Sequence, residues 1–241
     1  MKIALCLSGY FNSPKSSNSF GQDGFEYIKK HILNGNKVDV FIHSWDISNK
    51  DIIERLYGNI IKDSIFETQI DFKPIFNQNG LDKFPPHGTP FWNIFSQYYS
   101  VQKSFELMIN SEVNYDCVIK SRFDLGRINR ETSGPGRANP HPVQCINFNP
   151  NLDMTNFYIA NWQYLETEGP ADMWFYSNYE NMIKFSDVFN ILSKDIKVGS
   201  PYENWAGSND GGMVNAIKGW KWFLTKTKLW EKKQPLHTVW E

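Results

Sequence analysis

Three short strand-like runs, at residues 2–7, 38–42 and 115–119, alternate with segments of helical spacing. No other feature constrains the fold of this chain as much. Between the first two runs, Phe25, Ile28 and Ile32 recur at the interval of one helical face, and Gly35 with Asn36 stops that helix. After the second run, Ile52, Ile53 and Leu56 suggest another helix, closed by Gly58. Before the third, Ile94, Tyr98, Val101, Phe105 and Met108 share one face of the clearest helix in the chain. Strands alternating with helices predict an α/β fold with a central, mostly parallel sheet flanked by helices. One more short strand is expected around Ile65 and 72–75, and two others at 157–160 and 173–176. Met182, Phe185, Phe189 and Leu192 mark a helix, and Met213, Val214 and Ile217 a short one that Gly219 ends. Trp220, Trp222, Phe223, Leu229 and Trp230 suggest late strands or a C-terminal flap. Loops rich in Asn and Ser, or in Gly and Pro, fall at 11–21, 77–90 and 129–142. With no repeat and no long linker, 241 residues predict one domain.

Charge narrows the function. With 25 basic and 26 acidic residues the formal charge is -1, so the clustered cation of a nucleic-acid binder is missing. No apolar run reaches the length of a membrane-spanning helix, and no transmembrane segment is expected. The N-terminal apolar run is short and polar sequence follows it, which predicts a first core strand rather than a signal peptide. Cys6, Cys117 and Cys145 are odd in number and irregular in spacing, which argues against a disulfide framework or a zinc site. A reducing, cytoplasmic setting fits them. The 9 Trp, 11 Tyr and 18 Phe fill cores, but such side chains also stack on sugars and bases.

In open α/β sheets, ligands gather beyond the carboxyl ends of the strands. Three predicted strands end in polar groups there: Ser8 and Gly9; His43, Ser44, Trp45 and Asp46; and Lys120, Arg122 and Asp124. Each has a plain alternative: a turn for Ser8-Gly9, a helix cap for Asp46, a surface salt bridge for the charged triplet. Three coincident strand ends favour a composite site. In an extended strand Lys120, Arg122 and Asp124 share one face, and Ser121 and Phe123 the other. His43 is either a site residue or a packed core imidazole. Arg127, Arg130 and Arg137 are either solvated or meet an anion. The chain has no GxGxxG after its first strand, no GxxxxGK[ST] and no GxSxG, so a dehydrogenase, a P-loop nucleoside triphosphatase or a nucleophile-elbow hydrolase is disfavoured.

Several segments, in order, resemble a family of small GT-A-like glycosyltransferases from bacteria, algae and large DNA viruses, chlorovirus glycan-building enzymes among them. They are IALCLSGYFN near the start, VDVFIHSWD, QYYSVQKSFEL from Gln97, YDCVIKSRFDL, ADMWFYSN from Ala171 and the PYE at Pro201. The resemblance implies a single GT-A-like domain over 1–241, with a nucleotide-sugar-binding half at 1–128 and an acceptor-binding half at 129–241. It implies an inverting transfer of sugar from a UDP- or GDP-sugar to a glycan hydroxyl, in the cytoplasm, or the host cytoplasm for a viral enzyme.

It also implies roles. Ser8, Gly9, Ser44 and Asp46 would meet the nucleoside, and Gln97 and Lys103 would approach the donor from their helix. Family members hold a divalent metal with DxD at the end of a central strand, and the matching place here reads Ser121-Arg122-Phe123-Asp124. Asp124 would bind Mn²⁺ or Mg²⁺ through the diphosphate, or else sugar hydroxyls. Lys120 and Arg122 would neutralise the leaving diphosphate as the glycosidic bond breaks, or Arg122 would anchor Asp124. Glu203 best matches the late acidic position of the base, although an inserted Tyr202 separates it from Pro201. Asp172 and Asp210 are the other candidates, Asp172 for acceptor hydroxyls and Asp210 with a helix cap as its alternative. Trp162, Trp174 and Trp205 are either core or a stacking platform for sugar. Two other classes stay open: a carbohydrate-binding protein without catalysis on the same fold, and a nucleotidyltransferase.

Overall fold

The computed structural model describes residues 1–12, 20–84, 93–126, 145–161, 165–207 and 215–236. Seven strands form one sheet: β1 (Lys2–Gly9), β2 (Lys37–Ser44), β3 (Ile61–Phe66), β4 (Cys117–Arg122), β5 (Phe157–Ala160), β6 (Phe175–Ser177) and β7 (Lys233–Leu236). Their spatial order is β3-β2-β1-β4-β6-β5-β7. Pairs β1–β2, β1–β4, β2–β3 and β5–β7 are parallel, and β6 runs antiparallel to both its neighbours. This is a single α/β domain with a mostly parallel sheet, as the alternation predicts, and consistent with the GT-A-like architecture. Strands from both halves of the sequence join in the one sheet through the β4–β6 pair.

Both sheet faces are covered, which explains why the central strands read as continuous apolar runs. Ile3, Leu5, Leu7, Val40, Ile42, Cys117 and Ile119 point to one side, against α1 (Phe20–Ile28) and α2 (Lys50–Tyr57). Ala4, Cys6, Phe41 and Val118 point to the other, against α4 (Asn93–Asn110). The short helices are α3 (Lys73–Gln78), α5 (Tyr179–Met182) and α7 (Pro201–Ala206). With α6 (Val188–Asp195) and α8 (Ala216–Lys226), α4 completes that second layer.

The structure corrects several expectations. The third strand is Ile61–Phe66 alone, and residues of 72–75 open α3, with Pro74 in its first turn where no amide partner is lost. Gly219 does not end a helix: α8 runs through it, capped by Asn215, whose Oδ1 accepts from the amides of Ile217 at 2.8 Å and Lys218 at 3.4 Å. Trp220, Trp222 and Phe223 therefore lie on a helix, not on late strands. Helix α4 is buried on more than its aliphatic stripe, since Ser100, Gln102 and Ser104 are buried too. Met213 and Val214 lie outside the described residues.

Candidate active site

The parallel register sets Ser8 level with His43 on one side and Arg122 on the other, and Gly9 level with Ser44. The three strand ends singled out in the sequence thus form one row. β6 runs the other way, with Phe175 opposite Lys120, so the residues just before β6 reach the same edge. That reversal delivers Asp172.

Lys120, Arg122, Asp124, Asp172 and Gln97 make one connected cluster. β4 ends at Arg122, and the chain turns over 123–126, so Asp124 is not on the strand. The turn, rather than strand alternation, brings Asp124 back onto Arg122. Arg122 donates from Nε to Asp124 Oδ1 and from Nη2 to Oδ2, both at 2.9 Å. This is the bidentate fork that planar guanidinium suits. Nη1 lies 3.2 Å from Asp172 Oδ2, which also accepts from Gln97 Nε2. Lys120 is buried, with Nζ donating to the backbone carbonyl of Asp172 and lying 5.1 and 5.3 Å from the ring centres of Phe175 and Trp220.

Electrostatics follow from this packing. Burial pulls the Lys120 pKa down to about 8, against the opposing field of Asp172. Burial works against the Arg122 charge too, but Asp124 and then Asp172 overcome it, and its pKa stands above the ordinary arginine value. Burial would raise the Asp172 pKa; Arg122 and then Lys120 outweigh it and hold the carboxyl below its usual range. The cluster is therefore two cations interleaved with two carboxylates, at the carboxyl edge of the sheet.

A second network lies beside it. Gly9 has φ +100°, in the region that favours glycine, and both its backbone groups are engaged. Its amide donates to Ser100 Oγ at 2.8 Å, and its carbonyl accepts from Ser44 Oγ at 2.9 Å. Gly9 and Ser44 thus shape the turn after β1. His43 is fully buried, with Nδ1 2.8 Å from Ser100 Oγ and Nε2 2.9 Å from Glu67 Oε1. An ionised Glu67 only accepts, which assigns the proton to Nε2; Nδ1 then accepts from the Ser100 hydroxyl. A directed chain results, from Gly9 through Ser100 and His43 to Glu67. Burial lowers the His43 pKa, with Glu67 opposing. No local motif in the sequence marks Ser100 or Glu67.

The remaining candidates have other surroundings. Asp46 is buried and organises the loop after β2, accepting from Ser48 Oγ at 2.7 Å, the Asn12 amide at 3.1 Å and Asn49 Nδ2. Ser8 is buried at the end of β1. Lys103 pairs with Glu106 at 2.7 Å, one turn along its own helix. Glu203 sits in the first turn of α7, where Oε2 accepts from the Gly199 amide at 2.6 Å beside the cap residue Ser200. Trp174 is a core residue that donates to the Cys145 carbonyl at 2.9 Å. Trp205 is 41% exposed, next to Tyr202 and Trp222. Asp210, Arg127, Arg130, Arg137 and Trp162 lie outside the described residues.

The cluster does not fit a divalent ion. Both oxygens of Asp124, the carboxylate the resemblance assigns to the metal, accept from Arg122. Among the described residues no three His, Cys, Asp or Glu side chains stand together as a metal site. Among them, too, no helix is long and apolar enough to cross a membrane.

No protein-family model matches the chain, and no curated protein matches it. Among solved structures, the apo crystal structure of mouse xyloside xylosyltransferase 1 superposes with a TM-score of 0.44 at 11% identity, over 98% of this chain and 84% of that one.

Proposed function

We propose that this chain is a nucleotide-sugar-dependent glycosyltransferase that moves a sugar from a UDP- or GDP-sugar to a glycan hydroxyl. One observation carries the reading: Arg122, Lys120, Asp124 and Asp172 are gathered at the carboxyl ends of β4 and its neighbours, where an α/β sheet takes its ligand. The ordered segments that resemble GT-A-like transferases support it.

In an inverting transfer the acceptor oxygen attacks the anomeric carbon, the bond to the diphosphate breaks, and the acceptor proton passes to a base. The leaving diphosphate takes up the electron pair. Arg122 is a fixed cation beside that growing charge, held in place by Asp124 and Asp172, and a charge already in place costs no reorganisation in the transition state. Asp172 is the carboxylate we favour against the acceptor hydroxyl, because it stands in the cluster. Glu203 remains the alternative base, although its carboxylate is engaged at the start of α7. Ser8 and Asp46 line the nucleoside side, and Gly9 and Ser44 shape it.

Incubation of the chain with a panel of UDP- and GDP-sugars tests the proposal. Slow release of free UDP or GDP from one donor is expected. Binding of free glycan without any nucleotide binding would replace it with a carbohydrate-binding role, which the exposed Trp205 favours. Turnover of nucleoside triphosphates would point to a nucleotidyltransferase.

A further inference from the structure

We infer that this site works without a divalent ion, because Arg122 occupies the place the ion would take. The inference rests on the glycosyltransferase reading and deepens it. A site with two carboxylates becomes neutral only after it loads one divalent cation. Here Asp124 and Asp172 meet Arg122 and Lys120, two carboxylates and two fixed cations, so the protein carries the loaded charge state within itself.

The geometry leaves little for an ion to hold. Mg²⁺ is held by one or two carboxylates together with substrate phosphates and waters, so an ion here would depend on the oxygens of Asp124 and Asp172. Each Asp124 oxygen already accepts from Arg122 at 2.9 Å. Asp172 Oδ2 accepts from both Arg122 and Gln97. An ion on Asp124 would sit against the Arg122 guanidinium and near the buried Lys120 ammonium, two fixed positive charges that oppose it. Asp124 in turn holds the Arg122 fork, and Asp172 holds Nη1. Asp124 is thus a positioning residue for Arg122, rather than a metal ligand.

Two probes separate this inference from the reading beneath it: Mn²⁺ alone, followed by electron paramagnetic resonance, and UDP and GDP, followed by calorimetry with EDTA or with Mn²⁺. The full chain should leave Mn²⁺ free at about 1 mM, and the affinity of the nucleotide it binds should agree within about twofold between EDTA and Mn²⁺. Arg122→Gln removes the cation and frees both carboxylates. It should weaken the nucleotide about tenfold or more in EDTA and gain a Mn²⁺ signal that the parent lacks. A parent chain that binds Mn²⁺ well below 1 mM, or binds nucleotide about tenfold tighter with it, overturns the inference. If neither nucleotide binds under any condition, the glycosyltransferase reading falls, and the Mn²⁺ arm still decides the metal question. Should Arg122→Gln fail to fold, the parent chain's two measurements decide it by themselves.

Discussion

Asp172 and Glu203 are both acidic and both late in the chain, but their surroundings differ in kind. Asp172 is half-buried between Arg122, Gln97 and the Lys120 ammonium. Glu203 makes a local bond to Gly199, four residues away, of the sort that satisfies a helix start. Substitutions that keep size separate the two. Asp172→Asn should lower turnover by at least about a hundredfold, near 2.7 kcal/mol in barrier, since the amide neither takes a proton nor balances Arg122. Glu203→Gln should stay within about twofold of the parent, because a glutamine oxygen still accepts from the Gly199 amide. Steady-state kinetics on the donor found in the panel checks both. A collapse of turnover in Glu203→Gln alone would move the base to α7.

Between elements, the site depends on how α1 meets the turn after β4. Gly24 of α1 packs directly on the turn: a Cβ there would collide with the Phe123 carbonyl oxygen and crowd the Asp124 Cα. Helix and turn touch backbone to backbone, and the turn sets where Asp124 points. Gly24→Ala should therefore destabilise the fold by about 2 kcal/mol, as overpacking does. The alanine has higher helix propensity, so a loss of stability is the informative direction. Urea unfolding measures it, and nucleotide affinity should fall with it. An unchanged midpoint would mean that α1 slides without cost and does not fix the turn. Helix α8 shows how an element is misread: Trp220, Phe223 and Leu224 are a buried helical stripe, whereas Trp222 between them imitates strand alternation.

At the scale of the whole molecule, the buried His43 should make stability depend on pH. Its folded pKa lies below the ordinary value of 6.5, so the unfolded chain takes up the proton first as pH falls. Stability from this group is full above pH 6.5 and is lost as pH drops through the folded pKa. Thermal melts of the parent from pH 8 to pH 5 should show the decline begin near pH 6.5, and His43→Gln should flatten that part of the profile. Identical profiles would show that the imidazole is not held neutral. The groups facing it are Glu67, Lys103, Ser100, Trp45 and Tyr99, so Glu67 and Lys103 are the charges that tune it.

The pattern of apolar runs and helical stripes carried the α/β class and the parallel core, because strand and helix periods are local properties of a few neighbouring residues. It also placed Ser8, Ser44, Lys120 and Arg122 at strand ends, since a strand's polar terminus is visible wherever the apolar run stops. Long-range partners were not visible in that way. His43 meets Ser100 across 57 positions and Glu67 across 24, and Arg122 meets Asp172 across 50. Those contacts are set by sheet order and register, above all by β6, the one reversed strand among the described residues, which brings Asp172 to the edge where Arg122 ends. The charge triplet in the sequence was local, and the turn after β4 folds Asp124 back onto Arg122; the fourth member, Asp172, came only from how the strands are stacked.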